Sequence, residues 1–423
     1  MNTTRRAALQ GGAAATLATL AMPSIARAAA GSVVIIGAGF GGATAARYLK
    51  TASPALDVTL VERETSILTC PFSNGVIAGY NTMADITRSL DGVRAAGVKI
   101  VAGEAAAVDT AARAVRLADG TRLAYDRLVV SPGIDLNYEG LPGYSAAAAE
   151  ILPHAWKAGP QTLLLRSQLE AMPDGGTFIV VAPANPFRCP PGPYERISLV
   201  ASYFKAKKPK SKILVFDAKD AFSKQGLFQS AWESEFPGMV AWIAGKDGGK
   251  VETVDAQART VTSGFGTEKG DVINVIPPQR AGAIAVAAGL TAENGWCPVD
   301  PMTFASTKAP SVYVVGDSSI AGAMPKSGSS ANAQAKVVAA AIIASLDGKP
   351  APAPALFNIC YSLVNPNYGI SVADVYQATD KGIVPTPNAG GVSVAKPTSL
   401  NERALEALYA VAWYRNISAD TWG

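Results

Sequence analysis

The chain has 423 residues and a net charge of only +4, and apolar residues make up 49% of it. A chain of this length predicts two or three domains with large buried cores. The near balance of charges argues against nucleic-acid binding. The single histidine, His154, excludes sites built from histidine clusters.

Residues 1–30 have the features of a cleaved export signal. Arg5 and Arg6 form a twin-arginine pair, an apolar stretch of small residues follows, and residues 26–28 (ARA) fit an A-x-A cleavage site. The apolar part is short and rich in alanine and glycine, which favours a removed signal over a membrane anchor. We therefore predict export by the twin-arginine route to a bacterial periplasm, with no integral membrane segment.

The segment GSVVIIGAGFGGATAARYLK, residues 31–50, predicts a strand, a glycine-rich turn and a helix. Gly37, Gly39 and Gly42 have the spacing of a dinucleotide site, where they permit a tight turn, close approach of a pyrophosphate and close helix packing. The next strand ends at Glu62, about 20 residues further on, where a carboxylate can accept hydrogen bonds from a ribose. Strand, turn, helix and acid together predict a nucleotide cofactor.

A second apolar strand, SVYVVGD at residues 311–317, ends at Gly316 and Asp317. A strand that ends in G-D and leads into a helix resembles the second FAD motif of flavoproteins with two dinucleotide-binding domains. In that family the aspartate binds the ribityl chain and the helix points at the flavin ring, so the resemblance implies FAD. An ordinary strand end with a tight turn is the alternative.

The stretch APANPFRCPPGPYER, residues 182–196, stands where a second glycine-rich loop is expected. Its five prolines lack N–H groups, so we predict that this region does not bind NAD(P)H, although the next strand keeps an acid at Asp217. A rigid connector is the alternative interpretation, but it leaves Cys189 and Glu195 unexplained. A cysteine pair beside a flavin can exchange two electrons with it, and Cys360 is a second candidate; spacing alone leaves a structural disulfide or free thiols open.

Cys70 in ETSILTCPFSN, the CPPGPYER loop and NICYSLVNPNYG together resemble the flavoprotein subunit of flavocytochrome c sulfide dehydrogenase, with sulfide:quinone oxidoreductases as cousins. The resemblance implies a redox-active disulfide between Cys189 and Cys360, a thioether from Cys70 to the flavin 8α-methyl group, and an acid near the disulfide at Glu195. The alternatives are a buried free thiol at Cys70 and a helix-start acid stabilised by the helix dipole at Glu195. Cys297 is given no redox role, and the scattered cysteines predict no metal site.

These segments predict an α/β fold with two dinucleotide-binding-like Rossmann domains of the disulfide reductase flavoprotein type, plus a C-terminal interface domain. The predicted parts are the signal at 1–30, a split FAD domain at 31–145 and 285–350, a second NAD-like domain at 146–284, and a C-terminal flavin-covering or partner domain at 351–423. In the last part, Leu405, Leu408, Val411 and Ala412 follow helical spacing, which predicts a helix docked on the flavin domain. A surface for a partner or a membrane is the alternative.

The resemblance implies a periplasmic enzyme that oxidises sulfide to sulfur or polysulfide and passes electrons to a c-type cytochrome subunit. A sulfide:quinone oxidoreductase, or a non-catalytic flavin-bearing accessory protein of a sulfur-oxidising system, is the alternative. In the last helix Arg403 and Arg415 are matched by Glu402 and Glu406. This balanced charge makes a poor membrane anchor, which favours the cytochrome.

Overall fold

The computed structural model describes residues 31–396 and 399–423. The predicted twin-arginine pair at Arg5 and Arg6 and the predicted cleavage site at residues 26–28 lie outside the described residues. Across the described part of the chain, no helix has both the length and the hydropathy that a membrane crossing requires.

The secondary structure alternates between strands and helices through most of the described residues. The helices are α1 (Phe40–Ala52), α2 (Ser73–Ala78), α3 (Asp91–Ala95), α4 (Ala146–Ala149), α5 (Pro160–Ala171), α6 (Gly192–Lys207), α7 (Gln225–Glu235), α8 (Ala283–Ala287), α9 (Gly328–Leu346) and α10 (Leu400–Trp422). The strands are β1 (Ser32–Ile36), β2 (Asp57–Glu62), β3 (Ile67–Leu68), β4 (Thr87–Arg88), β5 (Lys99–Ala102), β6 (Ala105–Asp109), β7 (Ala114–Leu117), β8 (Arg122–Ala124), β9 (Arg127–Val130), β10 (Ile134–Leu136), β11 (Thr177–Ala182), β12 (Lys212–Asp217), β13 (Val240–Ile243), β14 (Val251–Asp255), β15 (Thr260–Ser263), β16 (Gly266–Lys269), β17 (Val272–Val275), β18 (Gln279–Ala281), β19 (Cys297–Pro298), β20 (Val312–Val314), β21 (Ser319–Ile320), β22 (Leu356–Asn365), β23 (Tyr368–Thr379) and β24 (Gly382–Val392).

The first sheet is parallel, with the strand order β20-β9-β1-β2-β5. Its strands are short apolar runs, such as SVVII in β1, because a parallel sheet is covered on both faces. Val33 and Ile35 belong to a core cluster shared with residues of α1 and α9. Parallel strands end at one edge, so the turns that follow β1 and β20 lie on the same edge of the sheet, on either side of β9.

The second sheet is also parallel, with the order β13-β12-β11-β17. Its core contains Phe178 and Val180 of β11 packed with Ile197 and Phe204 of α6. The chain enters this sheet after β9 and β10 and returns to the first sheet with β20, and β10 pairs antiparallel with β18. The loop from β11 to α6 and the turn after β1 border one cavity, which Cys189 and Gly39 both line. The predicted domain boundaries stay a prediction.

The C-terminal part consists of the antiparallel sheet β22-β23-β24 and α10. The end of α10 reaches back to the first sheet. Arg47 of α1 donates to the carbonyl of Ala419 at 2.6 Å, and Trp422 Nε1 donates to the carbonyl of Ala38 at 2.9 Å. The last helix is thereby fixed to the turn after β1.

The face that α10 buries differs from the predicted one. Leu405, Leu408 and Ala412 are exposed, so their assignment to the docked face is wrong, whereas Ala407 and Ala410 are buried. The reason is close approach to β23: a Cβ added at Gly369 would lie 2.4 Å from the backbone nitrogen of Ala407. The backbones of β23 and α10 therefore pack closely at Gly369, and Ala407 lies on the side of α10 that meets the strand.

Candidate functional site

A cavity of about 800 Å³ is lined by residues of both parallel sheets and of the C-terminal part. Its volume lies in the range of about 300–1,000 Å³ that is common for ligand and cofactor sites. The predicted site residues that line it are Gly37, Gly39, Glu62, Cys70, Cys189, Glu195, Gly316, Asp317 and Cys360. The remaining one, Gly42, lies in the first turn of α1 and packs against the carbonyl group of Gly37.

The glycine-rich turn is closed on its inner side and open toward the cavity. Gly37 has a positive φ of 93°, and a Cβ there would lie 2.4 Å from the carbonyl oxygen of Ser131. A Cβ at Gly42 would lie 1.8 Å from the carbonyl oxygen of Gly37, whereas one at Gly39 would meet no atom within 4 Å. The backbone is thus accessible at Gly39, where a pyrophosphate approaches in a dinucleotide site.

Glu62 at the end of β2 is oriented by backbone N–H groups. Its Oε2 accepts a hydrogen bond from Ala38 at 2.7 Å, and its Oε1 accepts from Arg63 and Glu64 at 2.9 and 3.0 Å. A carboxylate has about four acceptor sites and three are used here, so Glu62 can still accept one hydrogen bond from a ribose.

Asp317 has a buried oxygen, Oδ1, with no hydrogen-bond partner among the described residues. Burial raises the pKa of this carboxyl, and the positive charges of Arg188 and Lys326 oppose that shift. The preceding N–H, of Gly316, donates to Gln334 Oε1 at 2.8 Å and fixes the turn. Buried polar atoms are normally paired, so Oδ1 requires a donor from a bound group, such as a ribityl hydroxyl. With the open turn and Glu62, these residues fit FAD.

Cys70 precedes α2, and its thiol faces the cavity. Its Sγ lies 3.6 Å from the carbonyl oxygen of Trp156, which also accepts a hydrogen bond from Arg188. Burial raises the pKa of Cys70, and the nearby Arg188 guanidinium acts in the opposite direction. The sulfur is therefore placed beside a cation that favours its thiolate form.

Cys189 has a left-handed backbone, with a φ of 57°. This conformation is costly for a residue with a Cβ, and strain of this kind clusters at functional sites. Two backbone hydrogen bonds hold it: Cys189 N–H donates to the carbonyl of Lys326 at 2.7 Å, and Gly192 N–H donates to the carbonyl of Cys189 at 2.8 Å. A Cβ at Gly192 would lie 3.0 Å from the Cys189 sulfur, so the glycine leaves room for the thiol.

Cys360 on β22 lines the same cavity as Cys189, and both are free thiols in this structure. Burial raises the pKa of Cys189 well above its usual value, and negative charge on Cys360 and on Glu195 raises it further. Negative charge on Cys360 therefore disfavours a thiolate at Cys189. The disulfide between them stays a prediction.

Glu195 lies in the first turn of α6 and joins three segments. Its Oε1 accepts the backbone N–H of Leu363 at 2.9 Å, and its Oε2 accepts from Asn74 Nδ2 at 2.8 Å. Burial raises the pKa of Glu195, which makes the carboxylate a better proton acceptor.

Arg196 is a residue of the site's support that the sequence prediction missed, although it stands next to Glu195 in the CPPGPYER motif. It is fully buried and donates to Asn74 Oδ1 at 3.0 Å and to the carbonyls of His154 and Ala155 at 3.0 and 2.6 Å. It thus holds Asn74 in place to donate to Glu195. Its position beside a motif residue was the only signal available.

Lys224 was also missed, and it stands in the sequence DAFSKQG without any recognisable pattern. Its side chain is buried, and Nζ donates to the carbonyl of Cys360 at 3.1 Å and to Ser362 Oγ at 2.9 Å. The contact spans 136 residues of sequence, so nothing local could have indicated it.

Two residues without a predicted redox role lie away from the cavity. Cys297 is fully buried in a core cluster. His154 is buried, its Nδ1 accepts the N–H of Trp156 at 2.9 Å, and burial lowers its pKa to about 4. Within residues 31–396 and 399–423, no three His, Cys, Asp or Glu side chains come together as metal ligands do.

The position of the second nucleotide site is filled by protein side chains. Asp217 ends β12, where an acid would bind a ribose, and it is completely buried. It accepts four hydrogen bonds, from Tyr194 OH at 2.5 Å, Lys219 Nζ at 2.6 Å, the Lys219 N–H at 3.0 Å and Trp242 Nε1 at 3.0 Å. Tyr194 also stacks on Phe222 with ring centroids 3.6 Å apart. The acid's acceptor sites and the space around them are therefore occupied.

Three family models match consecutive parts of the chain. The pyridine nucleotide-disulphide oxidoreductase model matches residues 31–161. The model of the central part of the sulfide dehydrogenase [flavocytochrome c] flavoprotein chain matches residues 162–277. The flavin-binding model of flavocytochrome c sulphide dehydrogenase matches residues 352–422.

Similar proteins agree with these matches. A flavoprotein chain of sulfide dehydrogenase [flavocytochrome c] from Chlorobaculum thiosulfatiphilum is 57% identical over 44 residues, which are 10% of this chain and 92% of that sequence. The mitochondrial sulfide:quinone oxidoreductase of Mus musculus is 24% identical over 307 residues, 67% of this chain, and the match spans 65% of the mouse protein. The crystal structure of sulfide:quinone oxidoreductase from Aquifex aeolicus superposes with a TM-score of 0.75 at 16% identity and covers 92% of each chain.

The fold is therefore the mixed α/β fold of the pyridine nucleotide-disulfide oxidoreductases, as the sequence predicted. The resemblance stated from the CPPGPYER and NICYSLVNPNYG motifs is also confirmed, since the two flavocytochrome models cover both of them. This chain belongs to the family of flavocytochrome c sulfide dehydrogenase flavoprotein chains.

Proposed function

We propose that this protein is a periplasmic sulfide dehydrogenase of the flavocytochrome c type, which oxidises sulfide to sulfur or polysulfide and passes electrons to a c-type cytochrome subunit. The observation that supports it is the convergence of Cys70, Cys189, Cys360 and Glu195 on one cavity that also contains an open dinucleotide turn. The names of the flavocytochrome c relatives support a cytochrome as the proposed electron acceptor.

FAD is the proposed cofactor. The turn at Gly37, Gly39 and Gly42 and the carboxylates of Glu62 and Asp317 would hold it, with Gly316 fixing the second turn. When bound, the flavin supplies a two-electron acceptor. The thiol of Cys70 lines the same cavity and is the proposed point of covalent attachment.

Cys189 and Cys360 form the proposed redox disulfide. Hydrosulfide is a small thiolate-like nucleophile that can open a disulfide and leave a persulfide on one cysteine and a thiolate on the other. Glu195, with its raised pKa, accepts the proton of hydrogen sulfide or of a cysteine thiol at its carboxylate. The carboxylate is kept in position by Leu363 N–H and Asn74 Nδ2.

Stopped-flow reduction of the flavin by sulfide tests the disulfide. We expect Cys360→Ser to abolish rapid bleaching of the flavin, because the hydroxyl cannot form a disulfide. Cys297→Ser is the matched control, since that thiol is buried outside the cavity and its loss should leave the rate unchanged. Unchanged flavin reduction in Cys360→Ser would contradict the disulfide mechanism.

Acid precipitation of the purified protein tests the covalent link. Yellow colour should remain with the precipitated wild-type chain and should appear in the supernatant of Cys70→Ser. Release of flavin from the wild type would show that Cys70 does not form the bond.

Turnover with different acceptors tests the partner. Sulfide-dependent reduction of a c-type cytochrome supports the proposal. Quinone-dependent turnover without a cytochrome would instead identify a sulfide:quinone oxidoreductase. Co-purification with a sulfur-oxidising partner without any sulfide-dependent bleaching would identify an accessory protein.

A further inference from the structure

Lys224 places a buried ammonium group directly against the strand that contains Cys360. Its side chain is 8% exposed, and its Nζ donates to the Cys360 carbonyl at 3.1 Å and to Ser362 Oγ at 2.9 Å. Side chains two residues apart on a strand project from the same face. The hydroxyl that binds the ammonium and the thiol of Cys360 therefore share one face of β22.

The backbone of Lys224 is constrained in the same way as that of Cys189. Lys224 has a positive φ of 61° at the N-terminal cap of α7, and its carbonyl accepts the N–H groups of Leu227 and Phe228 at 3.0 and 3.1 Å. A left-handed residue other than glycine persists only where its surroundings require it. The start of α7 therefore fixes where this side chain enters the site.

The charges around Lys224 come from three elements. They are Cys360 on β22, Glu195 on α6 with Cys189 just before that helix, and Glu406 on α10. Burial lowers the pKa of Lys224, and negative charge on these four groups opposes that shift. Among the described residues, no carboxylate oxygen lies within 4.0 Å of Lys224 Nζ. The ammonium is thus left to interact with negative charge that develops on the nearby sulfur.

The two cysteines differ in their electrostatic surroundings. For Cys360, burial raises the pKa, the positive charge of Lys224 opposes that shift, and the smaller effect of Glu195 adds to it. For Cys189, burial raises the pKa well above its usual value, and negative charge on Cys360, Glu195 and Cys70 adds to the shift, whereas the smaller effect of Arg188 opposes it. A thiolate is therefore more stable at Cys360 than at Cys189.

We propose that Lys224 is a positioning residue that makes Cys360 the leaving thiolate when the disulfide opens, so that hydrosulfide bonds to Cys189. This rests on the proposed sulfide oxidation. The sulfur of HS⁻ forms a bond to Cys189 Sγ, the Cys189–Cys360 bond breaks, and its electron pair leaves on Cys360 Sγ. The sulfide sulfur is oxidised and the disulfide is reduced, with one negative charge before and after the step. The sulfur with the more stable thiolate leaves faster, which is why the position of the ammonium sets the direction.

Mass spectrometry of the holoenzyme tests the direction of attack. A short sulfide pulse under anaerobic conditions is quenched with an excess of an alkylating agent, and the peptides that contain the two cysteines are compared. We expect the additional sulfur atom on the Cys189 peptide and a singly alkylated Cys360. A persulfide on Cys360 would overturn the proposal.

The reactivity of the thiols tests Lys224 without sulfide. After reduction by a phosphine, the rate of alkylation of each cysteine is measured against pH. We expect Cys360 to react at lower pH than Cys189 in the wild type. Lys224→Met should move the Cys360 profile upward by about one to three pH units, the effect of removing a nearby opposite charge. Lys224→Arg keeps the positive charge and should therefore give a Cys360 profile like that of the wild type.

Lys205→Met is the matched control, because Lys205 is an exposed lysine on α6 that pairs with Glu235. It should leave both profiles unchanged. If Lys224→Met does not fold, Ser362→Ala removes the hydroxyl that holds the ammonium and should give a smaller shift of the Cys360 profile in the same direction. A Cys360 profile that is unchanged in the folded variant overturns the role of Lys224. Failure of sulfide to form any persulfide contradicts the proposed function instead, and leaves the alkylation result to decide on Lys224.

Discussion

Cys189 shows how a single residue in an unfavourable conformation can be held by its surroundings. Its left-handed backbone is fixed by hydrogen bonds to Lys326 on one side and Gly192 on the other. Lys326 follows the second flavin motif, so this contact connects the proline-rich loop to the opposite wall of the cavity. The position of the thiol thus depends on both parallel sheets.

Glu195→Gln should remove a proton acceptor while keeping the size of the side chain. We expect sulfide-dependent flavin reduction to fall by about 10²–10⁴-fold, the usual contribution of a general base. In the wild type the rate should decrease as the pH falls through the pKa of Glu195. Because burial raises that pKa, the decrease should begin at a higher pH than an ordinary carboxylate would give.

Stopped-flow measurements across pH would check this, with Glu170→Gln as the control because Glu170 is a surface acid paired with Arg166. The protonation of sulfide changes with pH in the same way for the wild type and for Glu195→Gln, so its effect cancels in the ratio of their rates. If the rate of flavin reduction by Glu195→Gln still decreased at low pH as in the wild type, Glu195 would be excluded as the base.

At the residue scale, the sequence identified the reactive groups better than their electrostatic partners. Cys189, Cys360 and Glu195 stand in motifs that a family resemblance can identify. Lys224 and Asn74 act through side-chain contacts that span more than a hundred positions, 136 between Lys224 and Cys360 and 121 between Asn74 and Glu195. Such contacts follow from the packing of whole elements and leave no local pattern.

At the scale of elements, a methyl group added to the glycine-rich turn after β1 should disturb folding at one glycine and only flavin binding at another. Gly42→Ala places a Cβ 1.8 Å from the Gly37 carbonyl oxygen, so it should reduce both folded yield and flavin content. Gly39→Ala places a Cβ in open space, so it should reduce flavin content alone, because the methyl group occupies the approach of a pyrophosphate. Far-UV circular dichroism and the flavin-to-protein absorbance ratio would measure the two effects, and equal losses of folding in both variants would contradict this account.

The contact between α10 and the same turn predicts a further effect on cofactor retention. Trp422→Phe removes the donor to the Ala38 carbonyl and keeps most of the ring that packs 4.7 Å from Phe40. In a Cys70→Ser background we expect about fivefold weaker FAD binding, which corresponds to the net value of about 1 kcal/mol for one hydrogen bond.

Equilibrium titration with FAD would measure this change. Trp232→Phe is the matched control, because its Nε1 donates to Ser198 Oγ at 2.8 Å in the core of the second sheet. That variant loses an equivalent hydrogen bond and should bind FAD as the wild type does. Equal weakening in both variants would mean that the loss is not specific to the turn.

The strands and helices around the motifs could be predicted because their apolar patterns are local. The buried face of α10 could not, because Leu405 and Leu408 fit the helical period as well as Ala407 and Ala410 do. The choice between them depends on how closely β23 approaches at Gly369, which is a property of the assembled fold.

At the scale of the whole molecule, the two parallel sheets differ in whether the nucleotide position at the end of their strands is open. The first sheet keeps an open dinucleotide turn. In the second sheet Asp217, the acid at the position that would bind a ribose, accepts hydrogen bonds from Tyr194, Lys219 and Trp242 instead. We expect that neither NADH nor NADPH bleaches the flavin under anaerobic conditions, whereas sulfide added afterwards to the same sample does. Saturable bleaching by either nucleotide would show that the second sheet still binds one.

The hydrogen bond from Trp422 to Ala38 also has a consequence for how the protein is made. The turn at the end of the first strand lacks part of its support until residue 422 has left the ribosome. Chains truncated before Trp422 should therefore retain less flavin than the untruncated chain.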